Sequence, residues 1–359
     1  MLDARTKIDA PPPALFEVDD LKVHFDTDDG VVRAVDGVSF SIPRGRTVCI
    51  VGESGSGKSV TGRSLMNLLP HNARIAGGRV VYRPDDSRTI DVSALPPTGR
   101  AIRALRGKEI SLISQEPMAA LSPVHTVGQQ MTPVIKRHLN LSWREAADRA
   151  AAMLARVGLT RPKERLNSYA FEFSGGMRQR VCIAMALACR PKLVIADEPT
   201  TALDVTTQAN ILDLLIELQA EYGLSILFIT HDLGVVAEVA NEVVVMYLGK
   251  VVERGAVEDI FYDPRHPYTR ALLRSVPRLG AGKATRLATI RGLVPSPFDR
   301  PAGCDFHPRC DKAISGVCDV SAPANIAIGA GRSVRCVLDE ARRPTSERAP
   351  APLEVRLHG

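Results

Sequence analysis

Apolar and polar positions alternate along AVDGVSFSI, residues 34–42, a pattern that predicts a half-buried strand. A turn at Pro43 to Gly45 follows, and then TVCIV, residues 47–51, whose unbroken apolar character suits a strand covered on both faces. LVIAD at 193–197 and LSILFIT at 224–230 read the same way. Between them the period changes. In residues 142–159, SWREAADRAAAMLARVGL, the apolar positions Ala146, Ala150, Met153, Leu154 and Val157 share one helical face. Ser142 and Glu145 stand in capping-box spacing and Gly158 marks the stop. Buried-type strands separated by helices predict an α/β fold around a parallel sheet. The longest apolar run, VCIAMALAC, is bounded by Arg180 and Arg190, far short of the roughly 20 residues that a membrane-crossing helix needs. The chain is therefore not expected to span a bilayer.

The chemistry begins where the first buried strand ends. GESGSGKS, residues 52–59, followed by the helical VTGRSLMNLL, gives strand, glycine loop and helix, the context that the phosphate-binding pattern GxxxxGK[ST] requires. Glycines let consecutive backbone N–H groups converge on an anion, Lys58 reaches the β/γ-phosphates, and the Ser59 hydroxyl ligates Mg2+. A flexible glycine turn is the plain alternative, and the complete pattern in this setting argues against it. In LVIADEPTTALD a strand ends in adjacent carboxylates, Asp197 placed to hold Mg2+ through water and Glu198 to act as general base. Ser174-Gly175-Gly176 opens a long helix, presenting free N–H groups and a hydroxyl to an anion.

The order GESGSGKS, Gln115, FSGGM, IADEP, TALD and His231 resembles the nucleotide-binding subunits of ATP-binding cassette (ABC) proteins over approximately residues 15–255. The SGG element is its specific part. The resemblance implies a phosphate-loop NTPase of the ABC type, with an inserted helical subdomain at about 116–190. It also implies that two copies face each other head to tail, so that Ser174, Gly175 and Gly176 of one cap the γ-phosphate held by Lys58 of the other. Gly52, Glu53, Ser54, Gly55, Ser56, Gly57, Lys58, Ser59 and Val60 would contact the nucleotide, and Phe25 would stack on the adenine. Gln115 would sense Mg2+ and the attacking water, His231 would serve as the switch histidine, and Asp204 would couple the two opposed sites. One set of motifs is present, so a second ATPase subunit, identical or paralogous, is expected to complete the sites.

After Gly255 the segment AVEDIFYDPRHPYTRALLRSVP resembles the region following the ATPase core in oligopeptide and dipeptide importer subunits, with Asp263-Pro264, His266-Pro267-Tyr268 and Thr269 as hallmarks. That subfamily implies two transmembrane permease subunits as partners, an extracytoplasmic substrate-binding protein indirectly, and a place at the cytoplasmic face of the inner membrane. Four of the seven cysteines fall at Cys304, Cys310, Cys318 and Cys336, around CDFHPRC. Gaps of five, seven and seventeen residues are unlike zinc pairs, and all-cysteine ligation suits an iron–sulfur cluster. A mixed zinc site using His307, or unligated thiols, stays open. Tails resembling CxFHPRC hold a four-iron cluster in some subfamily members, so a 4Fe-4S cluster is the expectation, with zinc as alternative.

Composition adds limits. The charged, proline-broken N-terminus lacks an export signal, which predicts a cytoplasmic chain where stable disulfides are rare. Of the net charge of +6, most arises in residues 256–359, with 16 Lys/Arg against 11 Asp/Glu, so the ATPase part is nearly neutral and nucleic-acid binding is not indicated. The expected organisation is an ABC ATPase domain at 15–255, a small cysteine-containing extension at 256–345, and flexible tails at 1–14 and 346–359. The expected function is ATP hydrolysis that energises import of peptides or related small solutes. A soluble ABC ATPase of nucleic-acid repair or translation is the alternative, and a redox regulator that only binds ATP is a third class.

Overall fold

The structure, a computed structural model, describes residues 14–201, 203–275 and 290–340. Apart from Ala14, the expected tails lie outside these residues. The chain divides into two compact units, 1–251 and 252–359.

The first unit contains strands β1 (Ala14–Thr27), β2 (Gly30–Pro43), β3 (Thr47–Val51), β4 (Ala73–Asp85), β5 (Arg88–Asp91), β6 (Ile110–Ile113), β7 (Leu193–Asp197), β8 (Ser225–Thr230) and β9 (Glu242–Tyr247). β2, β1, β4 and β5 form an antiparallel sheet in that order. Val35, Val38, Phe40 and Ile42 of β2 are all buried; the three-residue step between Val35 and Val38 spans a stretch where the pairing with β1 slips and Asp20 takes a left-handed backbone. Phe16 stacks on Tyr82 beneath this sheet, ring centroids 4.7 Å apart.

β9, β3, β8, β7 and β6 run parallel in that order. β3, β7 and β8 are buried at every position, which explains why their sequences are uniformly apolar rather than alternating. Each of β3, β7 and β8 points its carboxyl end toward the same edge, where ligands collect in parallel sheets. Between β6 and β7 lie the helices Pro117–Ala120, Val127–Leu139, Trp143–Arg156, Pro162–Arg165 and Gly175–Leu187. Trp143–Arg156 follows the predicted capping box of Ser142 and Glu145, and its predicted apolar face is buried. Val127–Leu139 starts from a second capping box, Thr126 with Gln129.

β10 (Lys250–Ala256) leads into the second unit, where it pairs with β12 (Arg332–Val334), which in turn pairs with β11 (Ile326–Gly329). The Glu253 side chain, 1% exposed, accepts the backbone N–H groups of Arg265 (2.7 Å) and His266 (2.8 Å) at the start of helix Pro267–Ser275. His266 and Tyr268 both lie against the ring of Phe306, at 5.9 and 5.3 Å between centroids. Among the described residues no helix is long and apolar enough to cross a membrane.

Candidate active site

The loop after β3 can be built only with glycine at two of its positions. Gly52 (φ +154) would place a Cβ 2.2 Å from the Met246 carbonyl oxygen, and Gly57 (φ +93) would place one 2.3 Å from that of Ala34. Ser56 is buried within the loop, and Glu53, Ser54 and Gly55 lie along its outer side. Lys58, 6% exposed, donates from Nζ to the carbonyls of Gly52 (2.8 Å) and Glu53 (3.0 Å). Burial lowers the affinity of this amine for its proton, opposed by the negative charges of Glu198, Asp197 and Glu53.

The next two residues extend this contact to the neighbouring strands. Ser59 Oγ donates to Asp197 Oδ1 at 2.8 Å, and Val60 packs against the core. Asp197, 2% exposed, ends β7; burial pushes its carboxyl upward, while the Ser59 hydrogen bond and Arg63, 3.9 Å away, hold it down. A hydroxyl beside a buried carboxylate offers the hard oxygen ligands that Mg2+ takes, so the residues present fit that ion.

Glu198 turns the chain out of β7 with a left-handed backbone (φ 47), fixed by its N–H bond to the Ile229 carbonyl. Gln115 Nε2 donates to Glu198 Oε2 at 3.1 Å, and His231 Nδ1 lies 3.3 Å from Oε1. Gln115, Glu198 and His231 follow β6, β7 and β8, three adjacent strands, so the sheet itself assembles them. Two neighbours of this group carried no signal in the motif reading: Arg63, and Thr201, whose Oγ1 donates to Glu198 Oε2 at 3.0 Å. A hydroxyl three residues after the carboxylate was the available clue to Thr201.

The remaining candidates lie elsewhere in the unit. Ser174 caps helix Gly175–Leu187, its Oγ accepting the Met177 N–H at 3.3 Å, and both Ser174 and Gly175 are exposed. A Cβ on Gly176 would lie 2.8 Å from Thr207 Cγ2. Thr207 is bound by Asp204, which caps helix Val205–Tyr222 through Oδ1 to the Thr207 N–H (2.9 Å) and Oδ2 from the Thr207 hydroxyl (2.7 Å). These bonds hold the Asp204 carboxyl below the usual range. Among the described residues no hydrogen bond ties Ser174, Gly175, Gly176 or Asp204 to the Lys58 group. Phe25 is half-buried in β1, packed against the core and paired with Val32 and Ala73.

A family model described as "ABC transporter" matches residues 35–201, and one described as "Oligopeptide/dipeptide transporter, C-terminal region" matches residues 252–318. The Oligopeptide transport ATP-binding protein AppD of Bacillus subtilis (strain 168) is 47% identical over 326 residues, 91% of this chain and 97% of that protein. The chain belongs to the oligopeptide/dipeptide ABC transporter ATP-binding subunits. The Dipeptide transport ATP-binding protein DppD of Escherichia coli (strain K12) is 46% identical over 334 residues, 92% of this chain and 99% of that one. Among solved structures, the ATP-binding cassette MJ0796, dimeric in a post-hydrolysis state bound to ADP and Pi, aligns with a TM-score of 0.59 at 26% identity. That alignment covers 67% of this chain and 98% of MJ0796. The first unit is thus an ABC ATPase domain of the phosphate-loop NTPase fold, and this ABC subunit is an ATPase that energises transport. The nucleic-acid repair or translation alternative finds no support among these matches.

The iron–sulfur expectation is corrected. No group of three or more His, Cys, Asp or Glu side chains able to hold a metal ion occurs among the described residues, so neither the 4Fe-4S cluster nor zinc is supported at Cys304, Cys310, Cys318 and Cys336. Those four cysteines line one small cavity, of about 20 Å³. Burial pushes the Cys304 and Cys310 thiols up and takes Cys336 to about 11. Two sulfurs also accept backbone donors, Cys310 from Lys312 at 3.4 Å and Cys318 from Ile314 at 3.3 Å. Spacing and residue type alone do not say whether the side chains come together as a metal-holding group. Cys49, Cys182 and Cys189 are buried in β3 and helix Gly175–Leu187 or just after it, as core fillers would be.

Proposed function

We propose that this ABC subunit powers import of peptides or related small solutes by closing and opening with a second ATPase subunit, identical or paralogous, against two transmembrane permease subunits. In this proposal it lies at the cytoplasmic face of the inner membrane as a peripheral protein, and an extracytoplasmic substrate-binding protein delivers the cargo. Its ATPase domain extends over 15–255, with the helical subdomain at about 116–190 and the cysteine-containing extension at 256–345.

The observation that carries this proposal is the meeting of Gln115, Glu198 and His231 at three adjacent strand ends, beside the Ser59–Asp197 pair and Lys58. Backbone N–H groups of Gly52 to Ser59 hold the phosphates, Lys58 neutralises β/γ oxygens, and Phe25 takes the adenine. Ser59, Asp197 and Gln115 would hold Mg2+, which supplies positive charge against the phosphates. Glu198 accepts a proton from water as the water oxygen bonds to the γ-phosphorus. The bond from that phosphorus to the β-phosphate oxygen breaks, releasing ADP and phosphate. His231 lies at Glu198 Oε1, where it orients the γ-phosphate. Ser174, Gly175 and Gly176 of the opposing subunit close over that phosphate, and Asp204 links one site to the other.

The AppD and DppD relatives, described as oligopeptide and dipeptide transport proteins, support the choice of cargo. The MJ0796 dimer supports paired ATPases. Affinity isolation of the full chain from solubilised membranes tests the whole proposal. Recovery with two membrane-spanning subunits and ATP-dependent peptide uptake is expected; recovery with nucleic acid and no membrane subunit overturns it.

A further inference from the structure

The geometry points to Thr201 as a positioning residue that aims the Glu198 carboxylate, an inference that rests on Glu198 being the general base. A glutamate side chain has three rotatable bonds, and a base displaced by about 1 Å can lose roughly a hundredfold in rate. Something must therefore hold it. Glu198 leaves β7 in a left-handed conformation, and the Thr201 N–H bonds back to the Glu198 carbonyl at 3.2 Å, closing a tight turn. That turn brings Thr201 Oγ1 to 3.0 Å from Glu198 Oε2. The second donor to Oε2, Gln115, comes from a different segment, after β6.

The two donors are not equivalent. Gln115 is shared with the Mg2+ role, so its hold on the carboxylate depends on what else it touches. Thr201 travels on the same turn as Glu198 and keeps its hold whichever way Gln115 points. With Oε2 fixed from that side, Oε1 is the oxygen turned toward His231, and in the proposed mechanism it is the one left to take the water's proton. In this proposal Thr201 acts through Glu198, to which its hydroxyl donates.

A turn-forming threonine with no catalytic consequence is the competing explanation, because hydroxyl residues are common in turns. Steady-state ATPase kinetics of the full-length chain, assembled with its membrane partners, separates the two. Thr201→Val should lower kcat roughly tenfold, the scale of a lost hydrogen bond to a charged group, with KM for ATP within about twofold. Thr201→Ser should restore kcat, since it returns the hydroxyl, and Thr201→Ala should behave like the valine variant. In the Glu198→Gln background, Thr201→Val should lower the residual rate no further. Unchanged kcat in the valine and alanine variants, failure of serine to rescue, or an equal loss in the Glu198→Gln background would each overturn the Thr201 assignment while leaving Glu198 as base. Near-normal turnover by Glu198→Gln would instead overturn the base itself, and the positioning role with it.

Discussion

Glu198 and Lys58 should fail in different ways. Glu198→Gln should cut ATP hydrolysis about a hundredfold or more while nucleotide titration shows affinity retained, because in the proposed mechanism only the base is lost. Lys58→Ala should weaken ATP binding itself in the same titration, since in the proposed site this buried amine neutralises the phosphates with little solvent to replace it. A third residue reports on stability. His266 is 1% exposed, and burial pulls its imidazole down to about 3, below an unfolded value of about 6.5. The unfolded chain therefore takes a proton that the folded chain refuses. The stability is whole above about pH 6.5 and is lost as pH falls toward 3, by about 1.4 kcal/mol per unit. Urea unfolding at pH 7 and pH 5 should show that slope in the wild type and a shallower one in His266→Asn. The glycines, Lys58, Asp197 and Glu198 were legible as a motif because the chemistry fixes residue type. Thr201 and Arg63 were not, because any short polar residue fits a turn and any cation fits a helix face.

Helix Trp143–Arg156 shows what a pattern can carry: cap, apolar face and stop all agreed with one another and with the structure. Its neighbour Val127–Leu139 has an equally good capping box, yet Pro133 stands inside it, a residue that counts against a helix in a reading of the sequence. Ser142→Ala and Thr126→Ala should each cost about 1 kcal/mol, measured as a lowered unfolding midpoint, since each leaves an N–H group at a helix start without its partner. The buried strands were visible as apolar runs. The antiparallel sheet was visible only in β2, because the slipped register around Asp20 and Leu21 breaks the two-residue period on which such a prediction depends.

At the scale of the whole molecule, Ser174 is exposed at a helix tip, with no hydrogen bond to the Lys58 group among the described residues, and the proposal places it over the opposing subunit's phosphate. Ser174→Glu should abolish turnover and ATP-driven pairing, read by light scattering in the Glu198→Gln background, while ATP affinity at the loop falls only a few-fold. The family resemblance was written in motif order along the chain. The four cysteines misled because spacing speaks of residue type but not of how the side chains are placed, and no metal-holding group occurs among the described residues. Gly176 carries a consequence beyond its own helix. Its bare backbone leaves room for the Thr207 methyl, 2.8 Å from where a Cβ would stand, so any larger residue at 176 would push the tip bearing Ser174 against the turn that Asp204 holds.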